Sequence, residues 1–201
     1  MIQAIIFDIG GVLVRTENHD QRRALEARLG LADRESEAIV FGSDMGTKAQ
    51  RGDITDEELW AWVGQRLSLD EDNLAAFRNS FWAGDVLDTA LVEFIRTLRP
   101  RYQTAVISNA TDGLQDALAH KFRITDAFDL IVGSATEKVM KPDPEIYMRT
   151  LARLGRTPEE AVFVDDFAHN IEAARALGLH TIHFRPDTDV PMELARLGVA
   201  L

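Results

Sequence analysis

The sequence predicts an α/β protein: a parallel sheet with helices on both faces, plus a small inserted helical domain after the first strand. Three observations predict it. Five short apolar runs of strand character alternate with stretches of helical spacing. The first run ends on an acid and breaks into Gly10-Gly11, as a buried strand ends in a turn. Residues from about 15 to 82 interrupt the alternation, being rich in charge and helical in pattern with no convincing strand.

Taken in order, Ala4–Phe7 is the first strand, and Asp8 stands at its carboxyl end, the side of an open α/β sheet where ligands bind. The insert contains the apolar cluster Leu59, Trp60, Val63 and Leu67, and its borders fall near Val14-Arg15 and Trp82-Gly84. The expected division is therefore 1–14 with 83–201 as the α/β core and 15–82 as the helical insert. Leu87–Leu98 has helical spacing, Thr104–Ile107 is the second strand, and Leu114, Ala117 and Leu118 mark the next helix. Leu130–Val132 is the third strand. Asp143 caps a helix that has Pro144 at its first position, Ile146, Thr150 and Leu154 on one side, and Gly155 at its end. Thr157-Pro158-Glu159-Glu160 resembles a capping box leading into strand Ala161–Val164. A helix from about Asn170 to Leu177 stops at Gly178, before the last strand, Thr181–Phe184.

Composition narrows the function classes. The chain has 201 residues, 46% apolar and 27% charged, so it can bury a substantial core. It has no cysteine, which removes thiolate chemistry and zinc–thiolate sites and fits a reducing cytoplasm, the expected location. No apolar stretch approaches the roughly 20 residues that span a bilayer, and no signal peptide is evident. A net charge of −11 argues against nucleic acid or anionic membrane as partner. An anionic substrate would need a divalent cation or a few aimed donors to overcome that background. Oligomeric state is not written in the pattern.

Four polar positions follow the apolar strands or stand in loops beside them: Asp8, Ser108-Asn109, Lys141 and Asp165-Asp166. Singly, each has an ordinary structural reading as a cap, a solvated lysine or a polar loop. Parallel strands bring their carboxyl ends to one edge, however, so the four can converge. Asp8 and Asp166 offer the hard oxygen ligands that Mg²⁺ prefers, Lys141 a point charge, and Ser108 and Asn109 a hydroxyl, an amide and the free N–H groups of a helix amino terminus, a setting suited to phosphate oxygens. Asp8 can then serve as a nucleophile.

Phe7-Asp8-Ile9-Gly10-Gly11-Val12, Ile107-Ser108-Asn109, Lys141-Pro142-Asp143-Pro144 and Val164-Asp165-Asp166 resemble, in order and spacing, the four motifs of the haloacid dehalogenase-like hydrolases. Arg51-Gly52-Asp53-Ile54-Thr55-Asp56-Glu57 and Asn170-Ile171-Glu172-Ala173-Ala174 resemble the helical-cap branch that includes glucose-1-phosphatase-type sugar-phosphate phosphatases. The resemblance implies a Rossmann-like core with a helical cap, and a Mg²⁺-dependent phosphomonoester hydrolase acting on a small phosphorylated metabolite such as a sugar phosphate. It implies Asp8 as nucleophile and metal ligand, the Gly10 carbonyl and Asp166 as further metal ligands, and Ser108, Asn109 and Lys141 as phosphate-binding groups, with Lys141 also catalytic. Asp165 either reaches the metal through water or orients the loop. Asn170 stands where many relatives carry an acid, so the support of the metal is altered.

The departure is Gly10. Most phosphatases of this family carry there a second aspartate that protonates the leaving group, and such a group contributes roughly 10²–10⁴ in rate. Three explanations stay open: a leaving group that needs little protonation, such as an anomeric sugar phosphate or an acyl phosphate; a recruited group, with His169, Glu17 and His19 nearby in sequence; or lost turnover in a binding or regulatory protein. Dehalogenation of a 2-haloacid is the alternative chemistry, since halide leaves without a proton, but the extra carboxylate of Asp166 would repel such a substrate. Phe41, Met45, Trp60, Trp62, Phe81 and Trp82 are expected to pack the insert rather than touch ligand. His120, His180 and His183 have no partners at metal-ligand spacing and receive no role.

Overall fold

The structure, a computed structural model, describes residues 1–200. Strand β1 (Ala4–Phe7) is wholly buried and lies at the centre of a parallel sheet. After it come β2 (Val14–Thr16) and the helices α1 (Asp20–Leu29), α2 (Glu35–Val40), α3 (Asp44–Gln50), α4 (Asp56–Arg66) and α5 (Glu71–Trp82). The chain then returns through β3 (Asp85–Leu87), α6 (Thr89–Leu98), β4 (Gln103–Ser108), α7 (Leu114–Asp116), β5 (Leu130–Gly133), α8 (Ser134–Glu137) and α9 (Pro144–Leu154). It ends with β6 (Ala161–Asp165), α10 (Ala168–Ala176), β7 (His180–His183) and α11 (Val190–Arg196).

The main sheet runs β5-β4-β1-β6-β7, all parallel. Strand order therefore reverses between β1 and β6, and the crevice at such a switch point is where open α/β sheets bind ligands. Register sets the height of each group: Phe7 pairs with Val106 on one side and Val164 on the other, so Asp8, Ser108 and Asp165 emerge from three adjacent strands at one edge. Alternation divides the core into two layers. Ile5, Phe7, Val106, Val162 and Val164 pack on one face, and Ala4, Ile6, Ala105, Ile107 and Phe163 on the other. Burial on both faces explains why the strands read as continuous apolar runs.

All five expected strands are present, with His180–His183 displaced one residue from the expected Thr181–Phe184. Helix α9 is bounded as its residues demand: the Asp143 side chain accepts the Glu145 N–H at 2.9 Å, and Gly155 closes the helix at φ 67°. Two findings differ from expectation. Leu114, Ala117 and Leu118 start only a short α7, which passes into a π turn over Ala117–Lys121, so no helix amino terminus stands directly after Ser108-Asn109. A second sheet also exists where no strand was expected, β2 pairing antiparallel with β3. These strands are three residues long and half-buried, and they exist because partners about 70 positions apart meet, which local alternation cannot reveal. Among the described residues, no helix is long and apolar enough to cross a membrane.

Helices α1–α5 have an apolar cluster of their own, with Leu25, Leu59, Trp60, Val63, Phe77 and Phe81 at its centre. Trp62, Met45 and Trp82 pack against it, and Phe41 lies 5.5 Å from the ring of Phe81. Buried Arg22 ties this unit together. Its guanidinium bonds the Phe81 carbonyl (2.7 Å), Glu37 (2.6 Å) and Asp85 (3.1 Å). Helix α2 has no side-chain cap of its own; buried Glu26 on α1 supplies one, accepting from the Arg34 N–H (3.1 Å), the Ser36 N–H (3.1 Å) and the Ser36 hydroxyl. Burial pushes the Glu26 carboxyl up, but the donors from Ser36 and Arg34 and the charge of Arg22 outweigh it and hold the carboxyl below its ordinary 4.5. A carboxylate with a depressed folded pKa stabilises above its unfolded pKa, and that stability is lost as pH falls. Glu26→Gln is therefore expected to cost about 1–3 kcal/mol near neutrality in urea unfolding. The gap to wild type should shrink as pH falls below 4.5; an unchanged gap at acid pH would contradict this account of the cap.

Candidate active site

The site is built from the ends of β1, β4 and β6 and the loop before α9. Asp8 extends the ladder of β1, donating its N–H to the Val164 carbonyl at 2.9 Å. The Asp8 side chain is 8% exposed. One oxygen accepts the Ile9 N–H at 2.7 Å, and the other faces Lys141 Nζ at 2.8 Å. Lys141 Nζ also lies 2.7 Å from Asp165 Oδ2, so one ammonium bridges two carboxylates. An ammonium has three donors, which leaves one beyond these two partners.

Lys141 is held from both sides. Asn109 accepts the Lys141 N–H through Oδ1 at 2.8 Å and donates through Nδ2 to the Lys141 carbonyl at 2.9 Å. The Asn109 side chain thus clamps the lysine loop. Asp165 is fully buried, accepting the Phe167 N–H at 2.8 Å and both contacts of Asn170 Nδ2 at 3.1 Å. Asn170 is in turn supported by Tyr147, whose hydroxyl donates to the Asn170 carbonyl at 3.2 Å and whose ring packs on Phe163. Tyr147 carried no signal in the sequence beyond an apolar helix face.

Asp166 differs from Asp165. It is half-buried, and among the described residues its Oδ1 is a buried oxygen with no hydrogen-bond partner. Carboxylate oxygens of Asp8, Asp165 and Asp166 lie within 4.8 Å of one another. Asp165 already gives its oxygens to Lys141, Asn170 and Phe167, so Asp8 and the orphaned oxygen of Asp166 are the hard donors of this cluster that fit a divalent cation such as Mg²⁺. The bridge beside Gly10 uses the Ile9 carbonyl (2.8 Å) and the Gly11 N–H (2.9 Å), leaving the Gly10 carbonyl outside that bonding. The electrostatics agree. Burial pushes the Asp8 carboxyl up to about 6, against the pull of Lys141 and with a further push from Asp165. Asp166 is raised by burial and then by Asp165. Both carboxyls sit in surroundings short of positive charge, which a cation would supply.

The two glycines are unlike. A Cβ on Gly11 would lie 2.1 Å from Asp166 Oδ2, and Gly11 has φ +78°, so fold and site both require glycine there. A Cβ on Gly10 would meet nothing within 4 Å, so neither backbone nor packing excludes a side chain. The nearby acids and histidines do not fill the gap: Glu17 lies 3.7 Å from Arg15, His19 3.9 Å from Glu37, and the His169 ring is tilted against Phe167. Among the described residues, none of the three bonds to Asp8, Lys141 or Asp166.

The helical unit α1–α5 reaches this edge. Asp56, at the start of α4, accepts the Thr111 hydroxyl at 2.9 Å and donates its N–H to Asp112 at 2.8 Å, in the loop that follows Ser108-Asn109. Buried Ser134 bonds both the Ala110 N–H (3.0 Å) and the Gln50 carbonyl (2.6 Å), and Lys138 bonds the Gly52 carbonyl.

A family model described as haloacid dehalogenase-like hydrolase matches residues 2–178. Acyl-CoA dehydrogenase family member 10 of Mus musculus is 30% identical over 99% of this chain, which spans only 19% of that relative's length. D-ribitol-5-phosphate phosphatase of Bacteroides thetaiotaomicron is 28% identical over 93% of each chain. A solved structure of a HAD family enzyme from the same organism, in complex with magnesium and inorganic phosphate, shares the fold with a TM-score of 0.81 at 21% identity, covering 96% of this chain and 99% of the other.

The Gly11–Asp166 contact yields a test. Gly11→Ala is expected to displace the Asp166 carboxylate and weaken Mg²⁺ binding about tenfold or more in calorimetric titration. Unchanged affinity in a folded Gly11→Ala protein would remove Asp166 from the metal site.

Proposed function

The chain belongs to the haloacid dehalogenase-like hydrolases, and on that premise we propose that it is a Mg²⁺-dependent phosphomonoester hydrolase acting on a small phosphorylated metabolite, sugar phosphates among them. The observation that carries this reading is Lys141 Nζ held between Asp8 and Asp165, beside the unpartnered oxygen of Asp166. Asp8, the Gly10 carbonyl and Asp166 hold the cation, which when bound neutralises the phosphate and the crowded carboxylates. The phosphatase relative and the magnesium- and phosphate-bound neighbour support the class.

In this mechanism Asp8 attacks phosphorus, the bond to the leaving oxygen breaks, and an aspartyl-phosphate forms. Lys141 uses its remaining donor on the phosphoryl oxygens, while Ser108 and the Asn109 N–H hold the others. Water then attacks phosphorus, inorganic phosphate departs, and Asp8 is regenerated. Residues 15–82 act as a cap over the core formed by 1–14 and 83–201, docked through Asp56 and Gln50, and exclude water during the transfer. Asp165 and Asn170 orient Lys141 instead of binding the cation directly.

The open space at Gly10 decides the substrate preference. No acid stands ready there to protonate the leaving oxygen, so aryl, acyl and anomeric phosphates, whose leaving groups need little help, turn over fastest. Dehalogenation fits less well, because the free carboxylate of Asp166 would face the carboxylate of a haloacid.

Phosphate release from aryl, sugar and acyl phosphates with Mg²⁺ tests this. Asp8→Asn should reduce turnover to background, and omission of metal should do the same; equal activity in the variant would overturn the assignment. Gly10→Asp, which meets no steric obstacle, should raise turnover of alkyl phosphates by about 10²-fold and barely change aryl phosphates. A uniform loss on both classes would show that the space serves the substrate rather than a missing acid.

A further inference from the structure

Beyond the end of β7, two side chains converge on the main chain of Asp166. His183 Nε2 lies 3.0 Å and Arg185 Nη1 3.1 Å from the Asp166 carbonyl oxygen. Arg185 Nη2 is 3.5 Å from His183 Nδ1, so the three groups close a triangle. Their partners fix the proton positions. A carbonyl only accepts, so Nε2 carries the hydrogen; a guanidinium only donates, so Nδ1 keeps its lone pair. His183 thereby donates to the Asp166 carbonyl beside Arg185.

Strand geometry explains the convergence. The Phe184 N–H donates to the Asp165 carbonyl at 2.9 Å, carrying the β6–β7 ladder to the level of the site. Ile182 and Phe184 enter the core, and His183 and Arg185, alternating with them, share the opposite side. Gly11 walls the Asp166 carboxylate at one end, and these donors grip its carbonyl at the other.

Resting on the metal site proposed above, we propose that His183 and Arg185 are positioning residues for the metal ligand Asp166: they fix its main chain so that the free carboxylate oxygen stays aimed at the cation. Outer partners that orient a ligating group typically change metal affinity 10–100-fold when removed. The same device accounts for a histidine and an arginine that touch neither Asp8 nor Lys141.

Mg²⁺ affinity measured by calorimetry at pH 8, without substrate, is the direct test. His183→Phe keeps the ring's bulk and removes the donor; His183→Gln keeps an N–H; Arg185→Lys keeps the charge but cannot hold both partners. The expected result is Mg²⁺ affinity lowered about tenfold in His183→Phe and in Arg185→Lys and restored in His183→Gln, with metal-free melting temperatures within about 4 °C of wild type. In turnover assays the Mg²⁺ requirement should rise while kcat at saturating Mg²⁺ stays near wild type. Wild-type affinity in His183→Phe would overturn the inference alone. Tighter binding in Arg185→Ala with no change in His183→Phe would do so too, reducing Arg185 to a repelling charge. A wild-type protein that binds no Mg²⁺ would overturn the metal site itself, and this inference with it.

Discussion

The ammonium of Lys141 is 2.8 Å from Asp8 and 2.7 Å from Asp165, and all three groups are buried. Removing charges from water is costly, and such a group of charges holds only when its members are paired and their geometry is supported by further hydrogen bonds. The surroundings meet that demand residue by residue. Asn109 holds the lysine main chain, Asn170 and the Phe167 N–H hold Asp165, and the Ile9 N–H holds Asp8. Loss of Lys141 would leave two buried carboxylates unpaired, which makes this bridge the contact on which the geometry of the sheet edge depends.

The remaining charge is negative. Three carboxylates lie within a few ångströms of one another and one ammonium bridges two of them, while burial raises the Asp8 and Asp166 carboxyls from their ordinary value. Asp165 gives its oxygens to Lys141, Asn170 and Phe167, whereas Asp166 keeps one oxygen free. Two adjacent aspartates thus divide the work: one aligns the lysine, the other is open to a cation. Asn170 belongs to the same arrangement, because an amide can donate to Asp165 where a further carboxylate would repel it.

Around this centre, small residues and long-range bonds decide access. Gly11 exists because Asp166 occupies the space of a side chain, while Gly10 leaves space that nothing fills. The helical unit meets the edge through Asp56 and Gln50, placing its contacts on the loop that begins at Ser108. A bond from Thr111 to Asp56 spans 55 positions in sequence, so the placement of the helical unit and the shape of the loop after Ser108 are fixed together.

The sequence by itself determined the parallel sheet, its five strands and the identity of the converging polar residues. Continuous apolar runs bounded by turns are a local signal, and parallel pairing compels their carboxyl ends to one edge. What tertiary structure decided was which oxygen each group offers. Asp165 and Asp166 are adjacent residues of one type, for which the resemblance left two roles open to Asp165, yet the pleat sends one side chain to Lys141 and leaves the other against Gly11. The β2–β3 pair, the cap that Glu26 supplies to α2, and the grip of His183 and Arg185 on Asp166 were hidden for the same reason. Each joins residues whose neighbours in sequence carry no trace of the partner. A hydrogen bond depends on distance and direction in space, and only the folded chain brings those partners within reach.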